Sequence, residues 1–227
     1  MTRLKGKSKA KARKKKHQQK KLSAIAYKKR MLSMILEYDN EVLEKRCVEL
    51  AVGSDVSKTI STMKKVLGCT GNGVGLAASQ IGILERIIVV RPDAEEYEIT
   101  PMINPEIISH SGEKKYGPEM CLSYPGVTGF VERYTSITVK YFDENWKECE
   151  VSYKEGDLEL LIVQHEIDHL DGLCEIHIWW KDPEGMSKKL QAIFDKKYSK
   201  KEDASSCEIV ESEDLKKEKE EAVVTAE

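Results

Sequence analysis

The stretch "DLELLIVQHEIDHLDG", residues Asp157–Gly172, sets the fold and points to the chemistry. Leu158, Leu161, Ile162, His165 and His169 recur at helical spacing, which predicts a helix from about Leu158 to Asp171. Asp157 stands where an N-cap belongs and Gly172 just past the end, as helix termini prefer. On such a helix both imidazoles continue the apolar stripe into the interior. An i, i+4 pair brings two rings to one spot, where a divalent metal could take a nitrogen from each. Glu166 is rotated roughly 100° off that face, so it flanks the metal without ligating it. The pattern is H-E-x-x-H, whose glutamate commonly takes a proton from water at the metal. The bland alternative is a core histidine pair satisfied by backbone carbonyls; the helical context and the neighbouring glutamate favour the metal.

A third ligand is not in this stretch. The longer metalloprotease pattern would place a histidine at 175, where the chain has Glu175, and His177 is out of register. An upstream cysteine is the alternative, since one Cys and two His leave a tetrahedral position open. Any of the six cysteines, Cys47, Cys69, Cys121, Cys149, Cys174 and Cys207, also reads as a small buried hydrophobe.

Upstream, Val56, Ile60, Met63 and Leu67 share a helical face, with Ser54 or Asp55 as cap and Gly68 as stop. "RIIVV" (Arg86–Val90), "MINPEII" (Met102–Ile108), "SITVKYF" (Ser136–Phe142) and "CEVSY" (Cys149–Tyr153) are rich in β-branched and aromatic residues and predict strands. Asp143–Asn145 predicts a hairpin turn between the last two. Strands with one strongly patterned late helix argue for an α+β fold with mainly antiparallel sheet.

The 227 residues, 33% of them charged, suit one globular domain with polar appendages. Residues 1–30 hold 14 of the 37 Lys and Arg and no acid, leaving 23 basic against 39 acidic residues elsewhere. Residues 1–30 thus read as a basic disordered arm, 31–183 as the compact catalytic domain, and 184–227 as a charged helix, "MSKKLQAIFDKKY", followed by a disordered tail. No C-x-x-C pair and no secretory core occur, which predicts a reducing compartment, the cytoplasm. No apolar run reaches the roughly 18 residues of a membrane helix, so no membrane partner is expected.

One glycine-rich stretch, "GVGLAASQ" (Gly73–Gln80), is by itself a tight turn between helix and strand. Gly73, Gly75 and Ala78 also fit the dinucleotide fingerprint G-x-G-x-x-A, but a helix precedes them where that fingerprint needs a strand. Taken in order with "EMCLS" (Glu119–Ser123) and "QHEIDHLDG" (Gln164–Gly172), this stretch resembles the three motifs of the peptide deformylases. The likeness runs on through "INPEI" and "YPGVTGFVERYTSITVKYFDENWKE" and covers about Met31 to Asp182.

The resemblance implies mainly antiparallel sheets around a central metal-binding helix, with Cys121, His165 and His169 as ligands and Glu166 as acid and base. It gives Gln80 and the backbone N–H of Leu122 the substrate carbonyl oxygen, and Val74, Gly75 and Met120 the substrate peptide. The implied activity removes the formyl group from N-terminal formylmethionine of nascent polypeptides. The implied cofactor is one divalent metal, usually Fe(II), with Zn(II), Ni(II) or Co(II) able to occupy the site. The ligand types alone suit both iron and zinc.

Two departures stand out. Met120 replaces a glycine, so its side chain is expected to narrow the cleft or shift the ligand backbone, with a cost if φ is positive. "DGLCEIHIWWKD" is also atypical, and Trp179 and Trp180 read as core packing or helix docking. The resemblance further implies a buried Glu119–Arg133 salt bridge orienting the ligand loop. Rival functions are a related metallohydrolase with another acyl amide, or an inert fold serving as an RNA- or ribosome-binding protein. The basic arm suits rRNA phosphates.

Overall fold

Ile87–Val90 form a strand, β2, buried at every position. An uninterrupted apolar run of this kind belongs to a strand covered on both faces, and two helices do the covering. Ile87 and Val89 face the cluster of Val56, Ile60, Met63, Val66 and Leu67 from α2 (Ser57–Thr70). Ile88 and Val90 face Leu160, Val163, Ile167 and Leu170 from α3 (Glu159–Leu170). The result is a helix–sheet–helix sandwich.

The computed structural model describes residues 18–91 and 98–173. Its other elements are α1 (18–32), β1 (Gly75–Ala77), β3 (Thr100–His110), β4 (Lys114–Met120), β5 (Thr128–Tyr134), β6 (Ser136–Phe142) and β7 (Glu148–Lys154). Five strands make one sheet in the order β1-β2-β3-β6-β7, every pair antiparallel. β4 and β5 make a separate antiparallel hairpin, registered Pro118 to Phe130 and Met120 to Thr128. The α+β, mainly antiparallel expectation holds. The expected turn forms as well: Asp143 Oδ1 accepts the N–H groups of Asn145 and Lys147.

Several boundaries differ from expectation. α2 runs through Gly68 to Thr70 and stops at Gly71, which takes φ +89°. Thr70 Oγ1 then accepts the Gly73 N–H, folding the chain into the glycine stretch. Asp157 does not cap α3; its carboxylate accepts the Lys154 N–H of the preceding turn. Residues 18–30, expected to be structureless, are helical and exposed, and Met31 is the first buried side chain among the described residues. Lys, Gln, Leu, Ala and Arg are good helix formers without a buried face. Cys174, Glu175, His177, Trp179, Trp180, Cys207 and the expected C-terminal helix and tail lie outside the described residues.

The C-terminal end of α3 is held from four sides. The Cys47 N–H donates to Leu170 O at 2.7 Å, Ser79 Oγ to His169 O at 3.2 Å, and Arg86 Nη1 to Asp171 Oδ1 at 2.6 Å. Gly172 turns the chain at φ +73°, and a Cβ there would lie 2.7 Å from the Glu44 carbonyl oxygen. Both the backbone angle and that contact forbid a side chain. Gly172→Ala is expected to cost roughly 1–3 kcal/mol, a fall in Tm of several degrees by thermal denaturation; an unchanged Tm would show that the end of α3 is not fixed there.

Candidate metal centre

Three polar side chains from two distant stretches meet at one place. Cys121 follows the end of β4, while His165 and His169 sit one turn apart on α3. One potential ligand atom from each lies within 4.8 Å of the others, and Cys121 Sγ is 3.3 Å from His169 Nε2. The two rings meet edge to face with centroids 5.0 Å apart. A thiol and two imidazoles leave the fourth corner of a tetrahedron open, the donor set of a catalytic rather than a closed structural site.

α3 presents these rings differently from expectation. Its core side is Leu160, Val163, Ile167 and Leu170, whereas Leu158 and Leu161 are 63% and 44% exposed. Leu158, Leu161 and His165 border a cavity of about 490 Å³ instead of entering the core, and Ile162 lines the cavity while also packing in the core cluster. That arrangement puts His165 on the cavity wall, while His169 behind it is 1% exposed. Glu166, off the stripe, is only 4% exposed and lines the same cavity.

The remaining expected residues gather here too. Val74 and Gly75 bring the edge of β1 to the cavity, Pro118 and Met120 the hairpin, and Gln80 and Leu122 complete its lining. Gln80 is buried; its Oε1 accepts the Ala77 N–H at 2.8 Å and its Nε2 donates to Cys121 Sγ at 3.4 Å and Ser123 Oγ at 3.2 Å. The Ser123 N–H is a second donor to the sulfur, at 3.4 Å. Met120 ends β4 without positive φ and its side chain is 66% exposed, so the strain expected of a methionine at this position does not arise. A larger hollow of about 930 Å³ lies beside α2, bordered by none of the three ligand candidates.

Behind the rings lies a charged network that joins hairpin to helix. Arg133 on β5 donates to both oxygens of Glu119, from Nε at 2.7 Å and Nη2 at 2.9 Å, and pairs through Nη1 with Asp168 on α3. Glu119 Oε2 is also 2.9 Å from His165 Nδ1. Burial alone would push the Glu119 carboxyl up, but Arg133 and His165 together hold it down to about 2. Burial likewise disfavours the Arg133 cation, and its two carboxylates outweigh that and raise its pKa. An ionised Glu119 only accepts, so it receives a hydrogen bond from the Nδ1–H of His165 and leaves Nε2 with the lone pair a metal needs.

The expected Glu119–Arg133 pair is therefore present. Asp168 and Gln164 went unread in the sequence. Gln164 accepts the Tyr134 N–H at 3.0 Å and donates to Tyr134 O at 3.1 Å, pairing a helix side chain with the end of β5. Its one available signal was a buried position next to His165.

Comparison with known proteins agrees with the geometry. A family model described as polypeptide deformylase matches residues 32–179. The chain is 39% identical over 145 residues to the peptide deformylase of Thermodesulfovibrio yellowstonii, covering 63% of this chain and 86% of that protein. It is 41% identical over 138 residues to that of Natranaerobius thermophilus, covering 61% and 86%. Among solved structures, the enzyme of Vibrio parahaemolyticus bacteriophage VP16T, in complex with actinonin, superposes with a TM-score of 0.56 at 36% identity, over 61% of this chain and 97% of that one. The Legionella pneumophila peptide deformylase does so with a TM-score of 0.61 at 30% identity, over 72% and 90%. With the family model and these relatives in agreement, the chain belongs to the peptide deformylase family.

Proposed function

We infer that the chain removes the formyl group from the N-terminal formylmethionine of nascent polypeptides, the reaction of its family, and that Cys121, His165 and His169 hold the one divalent metal this needs. The observation that carries the assignment is the approach of a sulfur and two imidazoles within 4.8 Å of one another, beside a cavity and the buried Glu166 carboxylate. Fe(II) is the metal we assign, as the family usually uses it, with Zn(II), Ni(II) and Co(II) compatible with the same donors. When bound, such an ion polarises a carbonyl and lowers the pKa of water toward about 7.

The side chains divide the rest of the work. Glu166 takes a proton from the attacking water and returns it to the departing amine, the double role open to one carboxyl in general acid–base catalysis. Gln80 Nε2 and the Leu122 N–H serve the formyl oxygen as negative charge develops there. Each such donor is worth about 2.7–4 kcal/mol of barrier. Arrival of that oxygen replaces Ser123 Oγ as an acceptor for Gln80.

β1 is the first strand of its sheet. An extended peptide adds along its outer edge, main chain against Val74 and Gly75, with Met120 on the opposite wall. Leu158, Leu161 and Ile162 offer apolar surface to the methionine side chain. Gly75 leaves no room for a side chain: a Cβ there would stand 2.3 Å from Glu166 Oε1 and 2.8 Å from Ile162 Cγ2.

The four described cysteines are free, and a thiolate ligand favours a reducing compartment; we place the enzyme in the cytoplasm. Among the described residues no helix is long and apolar enough to cross a membrane. The arm of residues 1–30, partly the exposed α1 with Lys20, Lys21, Lys28, Lys29 and Arg30, is assigned to rRNA phosphates, which would hold the enzyme near emerging chains.

Three measurements test these assignments. Glu166→Gln in iron-loaded protein is expected to lower kcat on formyl-Met peptides about 10²–10⁴-fold while metal content by elemental analysis stays at one per chain; full turnover would remove Glu166 from its role. Gly75→Ala is expected to displace that carboxylate and reduce kcat by about 10²-fold, again with metal retained. Deleting residues 1–30 is expected to abolish salt-sensitive co-sedimentation with ribosomes, and its persistence would refute the arm's part.

A further inference from the structure

Arg91 follows directly on β2, its residue 6% exposed. Its guanidinium Nη2 donates to two carbonyl oxygens of the glycine stretch, Gly73 at 2.6 Å and Gly71 at 3.2 Å. Its own backbone N–H donates to Val74 O at 2.7 Å. One residue thus takes up three of the four carbonyls between Gly71 and Val74. Among the described residues no carboxylate pairs with this buried cation, and its Nε has no hydrogen-bond partner. Burying a charge on such terms is unfavourable for stability alone.

The geometry of the peptide unit says what the arrangement achieves. In a trans peptide the C=O and the following N–H point in opposite directions, and no cis bond occurs among the described residues. With Val74 C=O turned onto Arg91, the Gly75 N–H faces the opposite side, the outer edge of β1. The register agrees: Gly75 stands across from Val90, one step along from the bond between Val74 and Arg91. Antiparallel ladders alternate bonded and non-bonded pairs, so both main-chain groups of Gly75 point away from β2. Gly73 C=O, held by the guanidinium, turns the Val74 N–H away from that guanidinium in the same manner.

We propose that Arg91 is a positioning residue for substrate: by gripping Gly71, Gly73 and Val74 it sets the peptide planes that present Val74 and Gly75 to the main chain of the formylated peptide. The proposal rests on the pairing of peptide with β1 advanced above, and extends it to a residue outside the cavity lining. Arg91 acts on the part of the substrate that has a main chain to pair, and not on the formyl group or the metal. Both side-chain bonds leave one nitrogen, Nη2, which the rigid guanidinium plane aims at the two carbonyls; a lysine ammonium turns freely on its stem and is aimed less well.

The test compares two substrates on iron-loaded full-length protein, formyl-Met-Ala-Ser and formyl-Met alone. Arg91→Met is expected to raise KM for the tripeptide about tenfold, the worth of one or two main-chain hydrogen bonds, with kcat nearly unchanged and formyl-Met turnover barely altered. Arg91→Lys is expected to fall between wild type and Arg91→Met, and carries the test by the same ratio if the methionine variant does not fold. Equal loss on both substrates, a fall in kcat instead of a rise in KM, or no change in either would overturn the proposal. If the wild-type protein hydrolyses neither substrate, the deformylase assignment itself fails, an outcome distinct from a variant that loses only its advantage on the longer peptide.

Discussion

The centre depends on one buried carboxylate. Glu119 is the point at which the β4–β5 hairpin meets α3: Arg133 clamps both of its oxygens, and one of them also holds His165 Nδ1. Glu119 lies two residues before Cys121, so the clamp fixes the cysteine and the first histidine in relation to one another. Asp168 completes the link by drawing Arg133 onto the helix that carries both histidines. A buried ion pair is poor evidence for stability as such, because desolvation offsets most of the attraction, but removing one partner leaves an uncompensated charge and is strongly destabilising. The network is better understood as a register device. It permits one relative placement of hairpin and helix, the one in which sulfur and imidazoles converge.

A second constraint is steric and works from the other side of the cavity. β1 lies close against α3, so close that Gly75 leaves room only for the Glu166 carboxylate and the Ile162 side chain. Absence of a side chain at 75 and burial of the acid at 166 are two aspects of one contact. The edge that approaches Glu166 is set by α2 ending at Gly71, by the Thr70 hydroxyl accepting the Gly73 N–H, and by Arg91 donating to the carbonyls of Gly71 and Gly73. Glu166, both histidines and the strand edge are thereby referred to one helix, whose far end is pinned through Cys47, Ser79, Arg86 and Gly172.

Much of this was legible in the sequence where pattern and physics coincide. The 3.6-residue spacing located α3, and the β-branched runs located β2, β3, β6 and β7 to within a few residues. β4 and β5 escaped because Lys, Gly, Pro and Glu in "KKYGPEM" have weak strand preference, and their hairpin forms through cross-strand register and the Glu119–Arg133 pair. β1 has three residues, too few for any periodicity. The helical face was assigned with the wrong neighbour: leucines at 158 and 161 look like core, yet they border a cavity, and composition does not distinguish an apolar cleft from an apolar interior. Gln164 and Asp168 stand inside a motif without a role being readable there, and Arg91 stands outside all three. Each acts through a partner distant in the chain, which only the fold brings near.

Met120 illustrates how the two constraints share the task. In a strand, alternate side chains point to opposite faces. With Glu119 turned inward to Arg133, Met120 must turn outward, and its exposure is the consequence of its neighbour's burial. A glycine at 120 is then not what shapes the ligand loop; the backbone there is extended and open to any residue. What position 120 controls is the rim, since its side chain borders the cavity across from β1. A change at this position therefore alters the rim of the cavity, and leaves to Glu119 the placing of the sulfur two residues on.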